Sequence, residues 1–378
     1  MIISIFGIYF NIFEIALLSF LLLFSPAIIA RYGTGVRLRS SKFFHVFLVA
    51  SVLYLACILI SIFGAVNESR VLKGFFKWIE IFGFALLIFL YVRSTNHFKK
   101  IYWIFWISNF TLILIALFSI FLNKHFIFQD RLFPDYPSAI ALGLMIPFAQ
   151  KKFKLAIFLS LMCFLVAFFS LTRGVWIVLF FYFIMLLKDL PKRKKLLSYG
   201  LAMIFVSIIM WSTPMGEILK GRITSKASNT ERFGMAVVAL QAFSENPING
   251  VGTLNFPNYL MANDDASIIR SKEPELLQPH NVFLQIAAEE GILGLSTFIV
   301  IIFILYYAVF KESKLFKVSP NFAPYLEGLK YVTVPISAIL LFGFISDYFR
   351  LTIILFMGLS ISLFRLSALP AQNELAET

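Results

Sequence analysis

KLAIFLSLMCFLVAFFSLTRGVWIVLFFYFIMLLK, residues 154–188, decides the fold, because between Leu155 and Leu187 its only charged side chain is Arg173. A single helix of this length would run about 52 Å at 1.5 Å per residue, while a bilayer core is about 30 Å thick. The run therefore predicts two membrane-crossing helices. The break is expected within Leu171–Gly174, where the glycine permits a tight turn and Arg173 sits at one membrane face. A guanidinium is costly in hydrocarbon, which makes Arg173 a functional candidate with a partner to be found.

The rest of the chain has the same character. Of 378 residues, 60% are hydrophobic and only 14% charged, and the mean hydropathy is +0.87. A soluble domain of this size needs more charge to cover its surface. The alternating pattern of a membrane barrel is missing, so the expected fold is an all-α polytopic membrane protein. Met1–Ala30 lacks a basic start, so the first apolar run is expected to remain as a span. The net charge of +13 sits mostly in short loops between apolar runs. That pattern points to a membrane protein with a basic inner side and away from nucleic acid.

Apolar runs fall near 5–30, 43–64, 75–92, 101–122, 136–149, 154–170, 174–188, 196–212, 283–310, 329–346 and 349–366. They predict about 11–12 transmembrane helices, since the first could be a tilted helix or a hairpin. Alternate loops hold 20 of the 33 Lys and Arg, with KDLPKRKK (188–195) the strongest inner-side marker. The long loop 213–282 then lies outside, on the same side as Arg173. The chain divides into N-terminal helices (1–212), an external loop domain (213–282) and C-terminal helices (283–378).

Within that loop, SNTERFGMAVVALQAFS (228–244) spaces Phe233, Ala236, Val237, Leu240 and Phe243 as one helical face. Ser228–Thr230 are cap candidates, which would put Arg232 in the first turn, where the helix dipole favours an anion. Arg232 reads equally well as snorkelling into lipid headgroups from an amphipathic surface helix. Pro247 should end the helix, and Gly250 and Gly252 should form a tight loop. Downstream, PHNVFLQIAAEEGILGL (279–295) should open a span at Pro279, His280 and Asn281. An imidazole beside a helix N-terminus and two cations tends to stay neutral, the form that accepts a proton. His45, His97 and His125 read as interface residues. Glu289 and Glu290 are expected to hydrogen-bond within the bundle. Asp264 and Asp265 are the one thought for a metal, and adjacent loop carboxylates are usually solvated, so no metal and no cofactor are expected. Cys57 and Cys163 have no ligand spacing. No nucleotide-binding or hydrolase motif is present.

SLTRGVW (170–176), ERFGMAVVALQAFSENPINGVG (231–252) and the pattern His280-Asn281, nine residues, Gly291, two residues, Gly294 resemble the O-antigen ligase family and its polysaccharide-polymerase relatives. The resemblance implies a helical, type C glycosyltransferase-like enzyme of the bacterial inner membrane, working at the periplasmic face without metal or nucleotide. Its donor would be an undecaprenyl-pyrophosphate-linked glycan. Its acceptor would be lipid A-core for a ligase, or a second carrier-linked repeat for a polymerase.

Residue chemistry fits that implication. Forked guanidiniums suit a departing pyrophosphate, so Arg173 and Arg232 are the candidate clamp, with Arg222 and Arg131 as further external cations. His280 is the candidate base and Asn281 a candidate for orienting it or the substrate. The reading from another class is a lipid-linked oligosaccharide flippase. A flippase should carry charges along a central cavity and show internal repeats, whereas these candidates gather at one face.

Overall fold

The computed structural model describes residues 2–5, 8–11, 42–121, 135–151, 154–170, 172–189, 226–262, 278–313, 320–343 and 347–367. The elements are β1 (Ile2–Ile5), β2 (Ile8–Asn11), α1 (Lys42–Ile60), α2 (Glu68–Tyr91), α3 (Thr95–Phe121), α4 (Asp135–Gln150), α5 (Lys154–Phe169), α6 (Arg173–Asp189), α7 (Lys226–Glu245), α8 (Phe256–Ala262), α9 (Val282–Tyr307), α10 (Ala323–Phe342) and α11 (Asp347–Leu366). The chain is a multi-pass, all-α membrane protein. Six stretches among the described residues are long and apolar enough to cross a bilayer: Lys42–Gly64, Glu68–Tyr91, Thr95–Ile115, Val282–Glu312, Ala323–Phe342 and Phe349–Leu366. Two shorter apolar helices, Lys154–Phe168 and Arg173–Leu186, accompany them.

The run 154–188 is two helices, as its length required, with the break at Ser170–Thr172. Gly174 serves a different purpose from the one its sequence position suggested. It lies inside the first turn of α6, where a Cβ would come 2.3 Å from the Tyr136 hydroxyl. The first apolar run also differs from expectation at its start. β1 and β2 form an antiparallel hairpin pairing Ile2 with Asn11 and Ile5 with Ile8. Branched Ile2, Ile3, Ile5 and Ile8 around Gly7 favour a short hairpin over a helix start. Most of that run, at 12–30, and the span expected at 196–212 lie outside the described residues.

α4 is the centre of the bundle, buried continuously from Tyr136 to Pro147. Small residues let neighbours approach it closely. Tyr182 of α6 points its hydroxyl at Gly143 and donates to the Ala139 carbonyl at 2.9 Å. Tyr102 of α3 donates to the Leu144 carbonyl and lies where a side chain on Gly328 of α10 would sit. Large exposed apolar side chains, such as Val49 and Leu53 of α1 and Ile299 and Phe303 of α9, lie on the outward faces of the spans. In a bilayer such a surface meets acyl chains.

Reversals of direction sort the loops into two ends. One end holds the 61–67 connection, the starts of α4, α6, α9 and α11, and the end of α10; it is called the His280 end below. At the opposite end Lys151 donates to the Pro320 carbonyl, and Arg365 donates to the Phe89 and Leu90 carbonyls.

Among the described residues an ion pair lies wholly inside. Arg350 of α11 meets Glu80 of α2 at 2.9 Å, with side chains 3% and 1% exposed. Glu80→Ala takes away the carboxylate that faces a buried guanidinium and should cost about 3–5 kcal/mol. The readout is a lower unfolding temperature of the purified protein in detergent. Glu80→Met combined with Arg350→Met should recover most of the loss, and an unaltered midpoint in Glu80→Ala would show that the pair carries no stability.

Candidate functional site

The start of α9 is built around one asparagine. The Asn281 side-chain oxygen accepts from the Leu284 N–H at 3.0 Å, satisfying one of the donors a helix start leaves open. Its side-chain amide donates to the Leu341 carbonyl at 3.2 Å, in the last turn of α10. Both ends of the amide thus have protein partners, and they fix where the preceding residue stands. That residue is His280, half-buried, with φ at +51°. Left-handed backbone at a non-glycine is uncommon and costs on the order of 1–3 kcal/mol, which surrounding structure must supply.

Arg173 opens α6 and is half-buried. On one side Thr172 donates to the Asp135 carboxylate at 3.3 Å, and on the other Gly174 makes room for Tyr136. Asp135 also accepts from the Tyr136 N–H at 2.8 Å, and the Tyr136 hydroxyl reaches the Ala338 carbonyl of α10 at 3.5 Å. Tyr136 further packs edge-on against Phe349, 5.8 Å between centroids. Arg173 and His280 are therefore carried by helix starts tied to the final turns of α10 by different routes, that of α9 directly through Asn281 and Leu341, and that of α6 through Asp135 and Tyr136 of α4, which reaches Ala338.

Arg232 sits on α7, also half-buried. The helix starts at Lys226, earlier than the cap candidates Ser228–Thr230, which lie inside it. Arg232 is thus in the second turn, beyond the reach of the helix-start dipole invoked for it. Met235, Ala239 and Ala242 of α7 pack with Val251, Phe256, Leu260 and Ala288, and Leu284 lies beside them. The helix so lies along the first turns of α9. Arg222 and Arg131 lie outside the described residues, as do His125, Asp264 and Asp265.

A second group of residues, hardly weighted by sequence reasoning, holds this arrangement together. α9 is broken at Gly291, with φ +66° and ψ −165°. The turn after α7 crosses the break: Val251 N–H donates to the Ala288 carbonyl, Gly252 N–H to the Glu289 carbonyl, and Ile292 N–H to the Pro247 carbonyl, at 2.8–2.9 Å. A Cβ on Gly291 would lie 2.2 Å from the Ile248 oxygen, and one on Gly250 (φ +68°) 2.3 Å from the Glu289 carbonyl carbon. Beneath the crossing, Glu289 accepts from the Phe256 N–H at 3.1 Å. Glu290 accepts from Tyr54 of α1 and from Thr253, each at 3.2 Å. Thr253 meets Ser61 at 3.2 Å, and Asn255 exchanges two hydrogen bonds with the Asn67 backbone. Two consecutive acids before a glycine in an apolar run, AAEEGILG, were the available signal.

Residues 157–299 match the family model described as O-Antigen ligase. This segment is thus similar to the O-antigen ligase family. It runs from α5 to beyond the α9 break and includes Arg173, Arg222, Arg232, His280, Asn281, Gly250, Gly291 and Gly294, while Arg131 precedes it. No curated protein matches the chain. In this matched segment the paired glycines have a steric reason: Gly291 lets one backbone cross another, and Gly294 leaves room for the Glu290 carboxyl, 2.7 Å from where its Cβ would be.

Gly291→Ala should therefore unfold or strongly destabilise the protein, because both the left-handed backbone and the space are lost. Gly234→Ala on α7, where a Cβ meets nothing within 4 Å, should be neutral or stabilising by up to about 1 kcal/mol. Thermal unfolding of the two variants checks the contrast, and equal midpoints would contradict the crossing.

Proposed function

We propose that the chain is an O-antigen ligase. It transfers a glycan from undecaprenyl pyrophosphate to a sugar of lipid A-core at the periplasmic face of the bacterial inner membrane. What supports the reading is that Arg173 and His280 stand on helix starts tied to the final turns of α10, one through α4 and one directly, within a segment that matches the O-antigen ligase family.

The reaction breaks the bond between the anomeric carbon and the pyrophosphate oxygen, and an acceptor hydroxyl forms the new bond from the opposite side, inverting the centre. Negative charge grows on the departing diphosphate. Arg173 and Arg232 offer planar forks of N–H donors to it, and charge-assisted hydrogen bonds are strongest where water is scarce. His280 takes the proton of the attacking hydroxyl, and its backbone is held by the Asn281 cap and the Asn281–Leu341 bond. With two guanidiniums neutralising the leaving group, the chemistry asks for no divalent ion. The compact loop and the close fit of the His-Asn-x9-Gly-x2-Gly spacing favour a ligase over a polymerase of the same superfamily.

Reconstitution of the purified protein with carrier-linked glycan and either lipid A-core or a second carrier-linked glycan tests the reading. Elongated lipid A-core is expected; elongation of the second carrier-linked glycan would make the protein a polymerase, and no transfer at all would favour a flippase. His280→Ala should lower transfer by about 10²–10⁴-fold, the usual weight of general acid–base catalysis, while leaving the protein folded. Arg173→Lys keeps the charge but loses the fork, and should lose most activity. A fully active His280→Ala or Arg173→Lys protein would remove the corresponding role. Transfer should persist in EDTA; dependence on a divalent cation would turn attention to Asp264 and Asp265.

A further inference from the structure

Helix α7 has four distinct faces. Phe233, Val237 and Leu240 belong to the apolar face read from the sequence, and they are exposed, Phe233 by 73%. The buried face consists of the smaller Met235, Ala239 and Ala242. At 100° per residue the exposed apolar stripe lies nearly opposite that buried face. One flank carries Gln241 and Glu245, both exposed, and the other carries Arg232 with Ala236 and Phe243, all half-buried. Glu245 accepts from the Tyr259 hydroxyl at 2.6 Å and from Gln241 at 3.1 Å. Those donors, Tyr259 first, hold its carboxyl below the usual range and so keep that flank charged.

The stripe continues into the lipid-facing surface of a span. Past Leu240 comes Ser244, whose hydroxyl donates back to the Gln241 carbonyl and so presents no open donor. The turn then brings Ile248, 63% exposed, to the α9 break, where Ile292 N–H donates to the Pro247 carbonyl. Exposed Ile292 and Leu293 follow, and below them Ile299, Val300 and Phe303 of the same span. An exposed apolar stripe that joins the surface of a membrane span has one fitting occupant, which is the hydrocarbon of the same bilayer.

We propose that α7 lies in the interfacial zone of the bilayer at the His280 end, with Phe233, Val237 and Leu240 among the acyl chains, so that its Arg232 flank is held at the depth of lipid phosphates. The first part stands on the exposed surface alone. The second rests on the ligase reading, because a carrier whose tail lies in that leaflet presents its diphosphate at that depth. Arg232 then meets its substrate through the placement of the whole helix, which serves in place of the helix-start dipole it lacks.

Single cysteines at Phe233, Val237, Leu240, Gln241 and Glu245, introduced into a full-length Cys57→Ala/Cys163→Ala background and spin-labelled in phospholipid vesicles, test the placement. Labels at the first three positions should collide several-fold more with oxygen, which concentrates in hydrocarbon, than with a water-soluble nickel chelate. Labels at Gln241 and Glu245 should show the reverse. Nickel-dominated collisions along the stripe would overturn the proposal, as would low access to both reagents, the sign of cover by a second copy or another protein. For the depth of Arg232, Phe233→Asp/Leu240→Asp should lift the label at Val237 towards water and lower transfer at least tenfold. A lifted helix with undiminished transfer would overturn that second part and leave the ligase reading intact.

Discussion

Everything at the His280 end depends on one backbone crossing, where the turn after α7 passes over the break in α9. Three N–H to carbonyl bonds, from Val251, Gly252 and Ile292, close it. A membrane helix that breaks leaves backbone groups open, and irregular backbone at that depth survives only where protein satisfies it. Here the 246–256 turn supplies the donors and acceptors that the break releases. The same turn reaches α1 and α2 through Thr253 and Asn255, so four separate stretches are fixed by one local structure. Its strictness comes from sterics: both strands of the crossing approach closer than a Cβ permits.

From this crossing the candidate chemistry takes its position. α7 is anchored along the first turns of α9, so Arg232 and His280 belong to one packed unit rather than to a loose loop. Arg173 comes from another part of the bundle, and the end of α10 joins the two. In the proposed reaction donor and acceptor are both lipid-anchored, which asks the protein to hold two amphiphiles at one depth and exclude water between their polar parts. Helix starts at the membrane edge, rather than residues in a central cavity, suit that task.

Much of this was legible in the amino-acid sequence. The length of 154–188 required two helices, and Pro247 and the Gly250–Gly252 pair marked the turn that follows α7. His280 and Asn281 marked the opening of α9. What the sequence left open was which side of this amphipathic helix faces inward. In water the larger apolar face of α7 would be buried, but beside a bilayer the smaller Met235–Ala239–Ala242 face makes the close protein contact and the bulky face remains outside. The helix start at Lys226 was hidden for a similar reason, since Ser228–Thr230 look like caps only if nothing upstream is helical. Gly174 read as a turn former because its need for space depends on Tyr136, 38 residues earlier in the chain. Glu289 and Glu290 were expected to hydrogen-bond within the bundle, but which partners they have could not be read, because these come from α1 and from the 246–256 turn.

The central claim is that Arg173 and Arg232, distant in sequence, grip a single diphosphate while His280 works beside it. The most direct measurement is kcat/KM for glycan transfer by Arg173→Ala, Arg232→Ala and the double variant. Groups acting as a unit on one transition state are strongly non-additive. The account predicts that the double variant loses far less than the product of the two single losses. Losses that simply multiply would mean that the two guanidiniums act in separate places, and the shared pocket would have to be given up.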